Sequence, residues 1–163
     1  MYPLTHMAIA VGAARIGNRL APTRLQPLDL RCAAAGALVP DLADKPSHIL
    51  VPAVFTDGHT VGHALLFSLA LLGVGVILSV RGDSRLLAVG LGSITHPLVD
   101  PVVGYPQTLF WPLLGFGFAE ASGIPAWYLR GLDVELALAL VLAWTRSESI
   151  RRQARRLWRT GDL

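Results

Sequence analysis

Long apolar segments separated by short polar turns dominate the chain. Residues 58–80 contain no Asp, Glu, Lys or Arg, and in residues 86–99 the only ionisable side chain is His96. About 20 apolar residues are enough for a helix to cross a bilayer. The pattern therefore predicts an integral membrane protein. Its predicted helices cover residues 4–16, 28–39, 61–80, 86–103 and 132–145.

Two other segments lack this regular pattern. Residues 41–46 are polar and lie between Pro40 and Pro46, so they predict a loop. Residues 105–127 are rich in Pro, Gly, Trp and Phe, a composition that favours an interfacial or re-entrant segment. The predicted fold class is all-α, an integral membrane bundle of about four to five helices with a re-entrant segment.

The composition supports this interpretation. The chain is 53% hydrophobic and only 15% charged, whereas ordinary soluble domains are roughly 25% charged. Its mean hydropathy is +0.52. Cys32 is the single cysteine, which excludes an intramolecular disulfide and any multi-cysteine zinc motif.

Arginine is concentrated near the C-terminus and in alternate turns. If the tail lies in the cytoplasm, the positive-inside rule puts every lysine and arginine inside except Lys45 and Arg130. We therefore expect residues 1–145 to form one membrane-embedded helical domain and residues 146–163 an arginine-rich cytoplasmic tail, in a multi-pass inner membrane protein. The tail favours anionic membrane lipids as partners. Nucleic acid is not expected, because no basic stripe is interleaved with aromatic residues.

Five histidine and aspartate side chains fall at the outer ends of the predicted helices. They are His6, Asp41, His63, His96 and Asp100. His96 and Asp100 are four residues apart, so they share one face of a helix. Imidazoles and carboxylates suit one or two ions of zinc, or of a related divalent metal such as manganese. We predict a metal site from these five residues. Taken alone, His96 and Asp100 could equally form a structural hydrogen bond.

Catalytic roles are less sharply defined by the sequence. Asp41 and Asp44 are candidates for the general base, and Asp44 could instead bind or orient a ligand. His59 could join the site, donate to a ligand or belong to a loop. Three further carboxylates on the same predicted face could act as bases or ligands, or could be interfacial. They are Glu120, Asp133 and Glu135.

Five short motifs occur in an order that resembles a known family. They are Thr5-His6, residues 36–44 (GALVPDLAD), residues 58–66 (GHTVGHALL), residues 95–100 (THPLVD) and residues 110–112 (FWP). This order resembles the membrane-bound metal-dependent hydrolases of the YdjM-like family. It is also distantly similar to the metal-binding core of zinc-dependent phospholipase C and the single-strand nucleases.

These resemblances imply a membrane-bound enzyme that hydrolyses a small-molecule or lipid phosphoester at the outer face through metal-activated water. In the phospholipase C comparison, Asp41, His63, His96 and Asp100 would form the main site, and Asp100 would bridge to a second ion with His6. No histidine follows Asp100, so the ligands that complete a trinuclear cluster there are absent. The alternative is a non-catalytic metal-binding or ion-handling integral membrane protein.

Overall fold

The regular elements in the described part of the chain are helices. The computed structural model describes residues 3–21, 26–50, 59–118, 134, 136–137, 140–141, 144 and 147–162. The α-helices bounded within these residues are α1 (Pro3–Leu20), α2 (Leu30–Gly36), α3 (Val39–Leu50), α4 (Leu65–Ser79), α5 (Arg85–Val99), α6 (Pro106–Leu109) and α7 (Glu148–Thr160). Two short 3₁₀ turns, Val61–His63 and Pro101–Gly104, precede α4 and follow α5.

The predicted integral membrane bundle is wrong. Among the described residues, no helix combines the length and the apolarity that crossing a bilayer requires. The structure likewise gives no support to a multi-pass topology or to a cytoplasmic tail. The apolar run at 61–80 illustrates why, because Ala64 is extended (ψ 137°) and α4 begins only at Leu65. Its 15 residues rise about 22 Å, less than a hydrocarbon core of about 30 Å.

The segment predicted as a polar loop at 41–46 is instead part of helix α3. Pro40 lies in the first turn of this helix, where a backbone N–H has no intrahelical partner and its absence costs nothing. Pro46 lies farther inside the same helix. The helical geometry brings Asp41 and Lys45 onto one face, four residues apart.

Helix α5 packs closely against α2 on one side and α4 on the other, at positions occupied by glycine. A Cβ atom on Gly75 or on Gly90 would lie only 2.6 Å from a backbone atom of the facing helix. A Cβ on Gly92 would overlap the carbonyl oxygen of Ala33 in α2. Because small residues let backbones approach, the C-terminal end of α2 lies directly against α5.

A pair of serines compensates for the proline inside α5. Pro97 has no N–H to donate to the carbonyl of Ser93, one turn earlier. The Ser68 hydroxyl of α4 donates to that carbonyl oxygen at 3.1 Å and lies 2.9 Å from the Ser93 hydroxyl. The α4–α5 interface therefore satisfies the backbone group that Pro97 leaves open.

The remaining helices pack around this core. Helix α1 buries His6, Ala10 and Ala14, which follow one another at four-residue intervals on one face. Helix α7 is attached at the N-terminal end of α2, where the Arg31 side chain donates to the Trp158 carbonyl at 2.8 Å. Residues 119–127 of the predicted re-entrant segment and most of the predicted helix at 132–145 lie outside the described residues. The same is true of Glu120, Asp133 and Glu135.

Candidate metal centre

The structure brings the five predicted ligands together in the interior. They come from α1 (His6), α3 (Asp41), the 3₁₀ turn before α4 (His63), α5 (His96) and the residue that ends α5 (Asp100). None of the five is more than 3% exposed. Burying so many ionisable groups is costly unless they are paired or bind an ion.

His63 and His96 point their Nε2 atoms at each other across 3.2 Å. Each ring is held from behind through its other nitrogen. Nδ1 of His96 lies 2.6 Å from the Ala37 carbonyl oxygen, which can only accept, so this nitrogen carries the proton. Nδ1 of His63 lies 2.7 Å from a carboxylate oxygen of Asp44. Both Nε2 atoms are therefore directed into the space between the two rings.

Asp41 lies beside this histidine pair. Its Oδ1 is 3.8 Å from Nε2 of His63, and its Oδ2 is 3.7 Å from Nε2 of His96. These distances exceed those of hydrogen bonds. Ligands of a tetrahedral zinc ion with bonds of 2.0–2.1 Å lie about 3.4 Å apart. Lys45 contacts the Asp41 Oδ1 atom at 3.0 Å from the rim, with its side chain 38% exposed.

Asp44 is a hub of hydrogen bonds behind His63. Its carboxylate accepts from the backbone N–H groups of Thr60, Gly62 and His63 and from the Thr60 hydroxyl. Burial alone would raise its pKa, but the hydrogen bonds from His63 and Thr60 outweigh burial and lower it. A Cβ on Gly62 would lie 2.8 Å from the Asp44 carboxylate, so this approach requires glycine.

Asp100 joins a second set of imidazoles. Its Oδ2 lies 3.6 Å from Nε2 of His6 and 3.8 Å from Nε2 of His96, and its Oδ1 lies 3.5 Å from Nε2 of His59. The His6 ring stacks on the His96 ring with their centroids 4.0 Å apart. His59, whose place the sequence left open, is thus beside the predicted ligands, with its side chain 26% exposed.

The buried environment favours the protonation states that a cation needs. Burial and the neighbouring His6 and His63 lower the pKa of His96 to about 4, against an opposing effect of Asp41. His96 is therefore neutral at pH 7, with a lone pair on Nε2. For Asp100, burial acts to raise the pKa, but the neighbouring imidazoles of His59 and His6 outweigh burial and hold the pKa well below its usual value of 3.8.

Three overlapping groups of side chains have ligand atoms within 4.8 Å of one another in the described residues. The first group is Asp41, His63 and His96; the second is His6, His96 and Asp100; the third is His59, His63 and Asp100. Each group offers nitrogen and oxygen donors of the kind that zinc and related divalent metals use. The geometry is thus able to hold a cation in more than one position.

A model of the YdjM inner membrane protein family matches residues 1–158 of the chain. The chain belongs to the YdjM inner membrane protein family. Membership of this family supports a membrane location. Comparisons with the curated proteins and with the solved structures found no match. The similarity to phospholipase C and the single-strand nucleases is not confirmed by these comparisons.

Sequence reasoning on this YdjM family member missed three features of the centre. Lys45 is in contact with Asp41, and the i,i+4 spacing would have indicated this had residues 41–46 been interpreted as helix. The hydrogen bond from His96 to the Ala37 carbonyl could not be predicted, because its acceptor is a backbone group that any residue has. The hydrogen bonds from Thr60 and Gly62 to Asp44 join residues 16 and 18 positions apart in the chain, so they depend on the tertiary fold.

Proposed function

We propose that this protein is a membrane-associated, metal-dependent hydrolase. The observation that carries the proposal is the facing pair of Nε2 atoms on His63 and His96, with the Asp41 carboxylate beside them. Two nitrogen lone pairs at 3.2 Å repel each other unless a cation lies between them. A divalent ion held by the three residues would remove this repulsion and balance the carboxylate.

The donor set and its supports fit such an ion. Oδ2 of Asp41 is buried and accepts no hydrogen bond from the described residues, although it faces Nε2 of His96. Nδ1 of each ring is bonded to Asp44 or to the Ala37 carbonyl, the outer support that metal-binding histidines usually have. We assign Asp41 as a ligand and Asp44 as a positioning residue, because the Asp44 oxygens already accept several hydrogen bonds.

The proposed substrate class is a phosphoester, either a small molecule or a lipid. A divalent ion bound at this centre would supply Lewis acidity and lower the pKa of a bound water. Lys45 supports the choice of an anionic substrate, because its side chain is 38% exposed and its ammonium group lies beside Asp41. The family's membrane location supports a lipid among the possible phosphoesters.

The first test is metal content together with hydrolysis. We expect purified full-length protein to contain a stoichiometric divalent metal and to hydrolyse a chromogenic phosphodiester or a phospholipid. His63→Ala and His96→Ala should lose both. Asp83→Asn is the control, because this exposed carboxylate lies in the α4–α5 turn and contacts the Arg85 N–H. Wild-type protein without metal after reconstitution would overturn the proposal.

The positioning role of Asp44 has its own test. We expect Asp44→Asn to weaken zinc binding by roughly 10- to 100-fold, the usual cost of removing such an outer support. The measurement is a competition titration against a chelating dye, on samples whose circular dichroism is unchanged. If Asp44→Asn binds zinc as tightly as Asp83→Asn does, the carboxylate does not orient a ligand.

A non-catalytic, ion-handling protein is the second candidate, and the same histidine pair favours it. A single proton shared between the Nε2 atoms of His63 and His96 at 3.2 Å would also remove their repulsion. It would not account for Oδ2 of Asp41, which lies 3.7 Å from Nε2 of His96 and accepts no hydrogen bond from the described residues. Metal-free protein with unchanged stability on adding zinc would favour this candidate over the hydrolase.

We also propose that α7 faces anionic membrane lipids. Arg152 and Arg156 are paired with Glu148 and Asp162 at 3.3 Å. Arg155 and Arg159 make no ion pair within the described residues. They line a groove with Trp144 and with Trp158, which is 79% exposed. Arginine beside exposed tryptophan suits the headgroup region of a bilayer.

A further inference from the structure

We propose that a cavity at one end of the helices binds the acyl chain of an anionic membrane lipid. The cavity lies between the C-terminal ends of α1 and α4 and the N-terminal end of α5, and its volume is about 400 Å³. Ligand sites in proteins commonly enclose about 300–1,000 Å³, so this volume is sufficient for an extended apolar chain.

This cavity is separate from the candidate metal centre. In α1, Asn18 lines the cavity and His6 belongs to the centre, 12 positions earlier in the chain. Along α5, Ser84 lines the cavity and His96 lies 12 positions later. At about 1.5 Å per residue these pairs are about 18 Å apart. The cavity therefore lies at the opposite end of both helices from the metal centre.

The wall of the cavity is apolar because its polar side chains bond to nearby backbone. The Asn18 amide donates to the Leu28 carbonyl at 3.0 Å and accepts from the Leu28 N–H at 2.7 Å. The Ser79 hydroxyl donates to the Val76 carbonyl, and the Ser84 hydroxyl donates to the Pro27 carbonyl. These groups are committed within the fold, so the wall suits a hydrocarbon chain better than a polar ligand.

Apolar side chains continue from the cavity onto the surface. Val76 and Val80 line the cavity and are 49% and 85% exposed, so the cavity opens beside them. Leu20 and Ile77, which neighbour lining residues in the chain, are exposed as well. Exposed apolar patches of this kind mark sites for membranes, ligands or partners. An acyl chain that enters here would cover both the cavity wall and this patch.

The charges around the cavity select an anionic headgroup. Arg19, Arg81 and Arg85 are exposed, and each directly follows a residue that lines the cavity. None of the three makes an ion pair with another described residue. The carboxylate in the same turn, Asp83, accepts the backbone N–H of Arg85. Three cations against one anion favour a negative headgroup, and the membrane location of the family favours a membrane lipid as its source.

Photolabelling of the full-length protein tests the inference without any assay of metal or activity. The probe is phosphatidylglycerol with a photoactivatable diazirine in its acyl chain, and mass spectrometry locates the labelled residues. We expect labels on lining residues such as Val80 and Leu87. Gly17→Leu should lose them, because a Cβ on Gly17 lies 3.5 Å from Leu28 and a longer side chain would fill the cavity there.

The matched control is Gly12→Leu in the same helix, where a Cβ meets nothing within 4 Å and the residue does not line the cavity. It should be labelled like the wild type. Ala21→Trp fills the cavity from an exposed position, so it should lose the labels without a risk of unfolding. Labels that persist in both filling variants, or that lie only outside the cavity, would overturn the inference.

Competition with unlabelled lipids tests the headgroup. Phosphatidylglycerol should suppress the labelling more strongly than phosphatidylcholine does. Arg81→Gln should weaken the competition by phosphatidylglycerol about fivefold, whereas Arg81→Lys should stay within about twofold of the wild type. Equal competition by the two lipids would overturn the anionic headgroup. A dimer that forms in the wild type and is lost in Gly17→Leu would show that a second copy of the chain occupies the cavity instead.

Discussion

The two ends of α2 present ionisable residues in opposite ways. Beyond its C-terminal end, at Ala37, lies the histidine and aspartate centre, in which the five predicted ligands are at most 3% exposed. At its N-terminal end lies α7, whose arginines are on the surface and whose ion pairs, such as Arg152 with Glu148, are solvent-exposed. The side chains of the centre are buried and contact one another, whereas the charged side chains of α7 are exposed to solvent.

The difference has energetic consequences. An exposed ion pair contributes about 0–1 kcal/mol, because water and salt screen it. Removing one partner of a buried charged pair costs about 3–5 kcal/mol, because the other is left uncompensated. Changes at the centre should therefore act strongly and together, whereas changes in α7 should be small and nearly additive.

Lowering the pH should have the largest effect on stability, and it should act through the buried histidine and aspartate centre. Burial lowers the pKa of His96 from 6.5 to about 4. Between pH 6.5 and 4, His96 binds a proton in the unfolded chain but not in the folded chain. The free energy of unfolding therefore falls as the pH decreases. The loss should reach about 3 kcal/mol for metal-free protein. Below pH 3.8, the lowered pKa of Asp100 adds a further loss in the same direction.

Urea unfolding with a chelator present, at several pH values between 7 and 4, measures this loss. His96→Asn should remove most of the slope, since asparagine does not titrate. Substitution of the exposed Asp83 should leave the slope unchanged. A free energy of unfolding that stays constant from pH 6.5 to 4.5 would contradict a neutral, buried His96.

The contrast between the two ends also explains what could be predicted from the sequence. The four-residue spacing of His96 and Asp100 indicated that they share a helix face, and five side chains were placed together because they fall at the same ends of the predicted helices, although the membrane bundle assumed for that placement is wrong. Helix α3 was not predicted, because Pro40 and Pro46 were interpreted as the ends of a loop. The sequence does not reveal that Pro40 lies in a first helical turn, where proline is tolerated.

Hydropathy was also misleading, because it predicted a membrane-spanning helix at 61–80. The run at 61–80 is apolar enough for a membrane span, but hydrogen bonds to Asp44 hold Thr60, Gly62 and His63 in a turn. These contacts shorten α4 at its N-terminal end. A sequence pattern records apolar residues but not the distant carboxylate that fixes them. His59 was left open for the same reason, since its partner Asp100 is 41 residues away.

Packing should have the next largest effect, because glycines bring α2 and α5 together behind the centre. Gly92→Ala should destabilise the protein by about 1–3 kcal/mol, since the new Cβ would overlap the Ala33 carbonyl. Zinc affinity should fall as well, because the shift moves the Ala37 carbonyl away from His96. The matched control is Gly73→Ala in α4, where a Cβ meets nothing within 4 Å.

Gly73→Ala should leave zinc affinity unchanged and raise the stability by up to about 1 kcal/mol, the helix-propensity difference between the two residues. Thermal unfolding followed by circular dichroism, together with the dye competition, distinguishes the two variants. If both glycine substitutions have the same effect, close packing of α2 on α5 does not shape the centre.

Substitutions in α7, at the N-terminal end of α2, should have the smallest effect. We expect the full-length protein to bind vesicles containing phosphatidylglycerol and to bind vesicles of phosphatidylcholine more weakly. Arg155→Ala should weaken the anionic binding about fivefold, since one arginine near such a surface contributes about 1 kcal/mol. Arg155→Lys keeps the charge and should bind within about twofold of the wild type. Vesicle sedimentation at two salt concentrations measures both variants. Equal binding to the two kinds of vesicle, or preferential binding of duplex DNA, would contradict a lipid-facing α7.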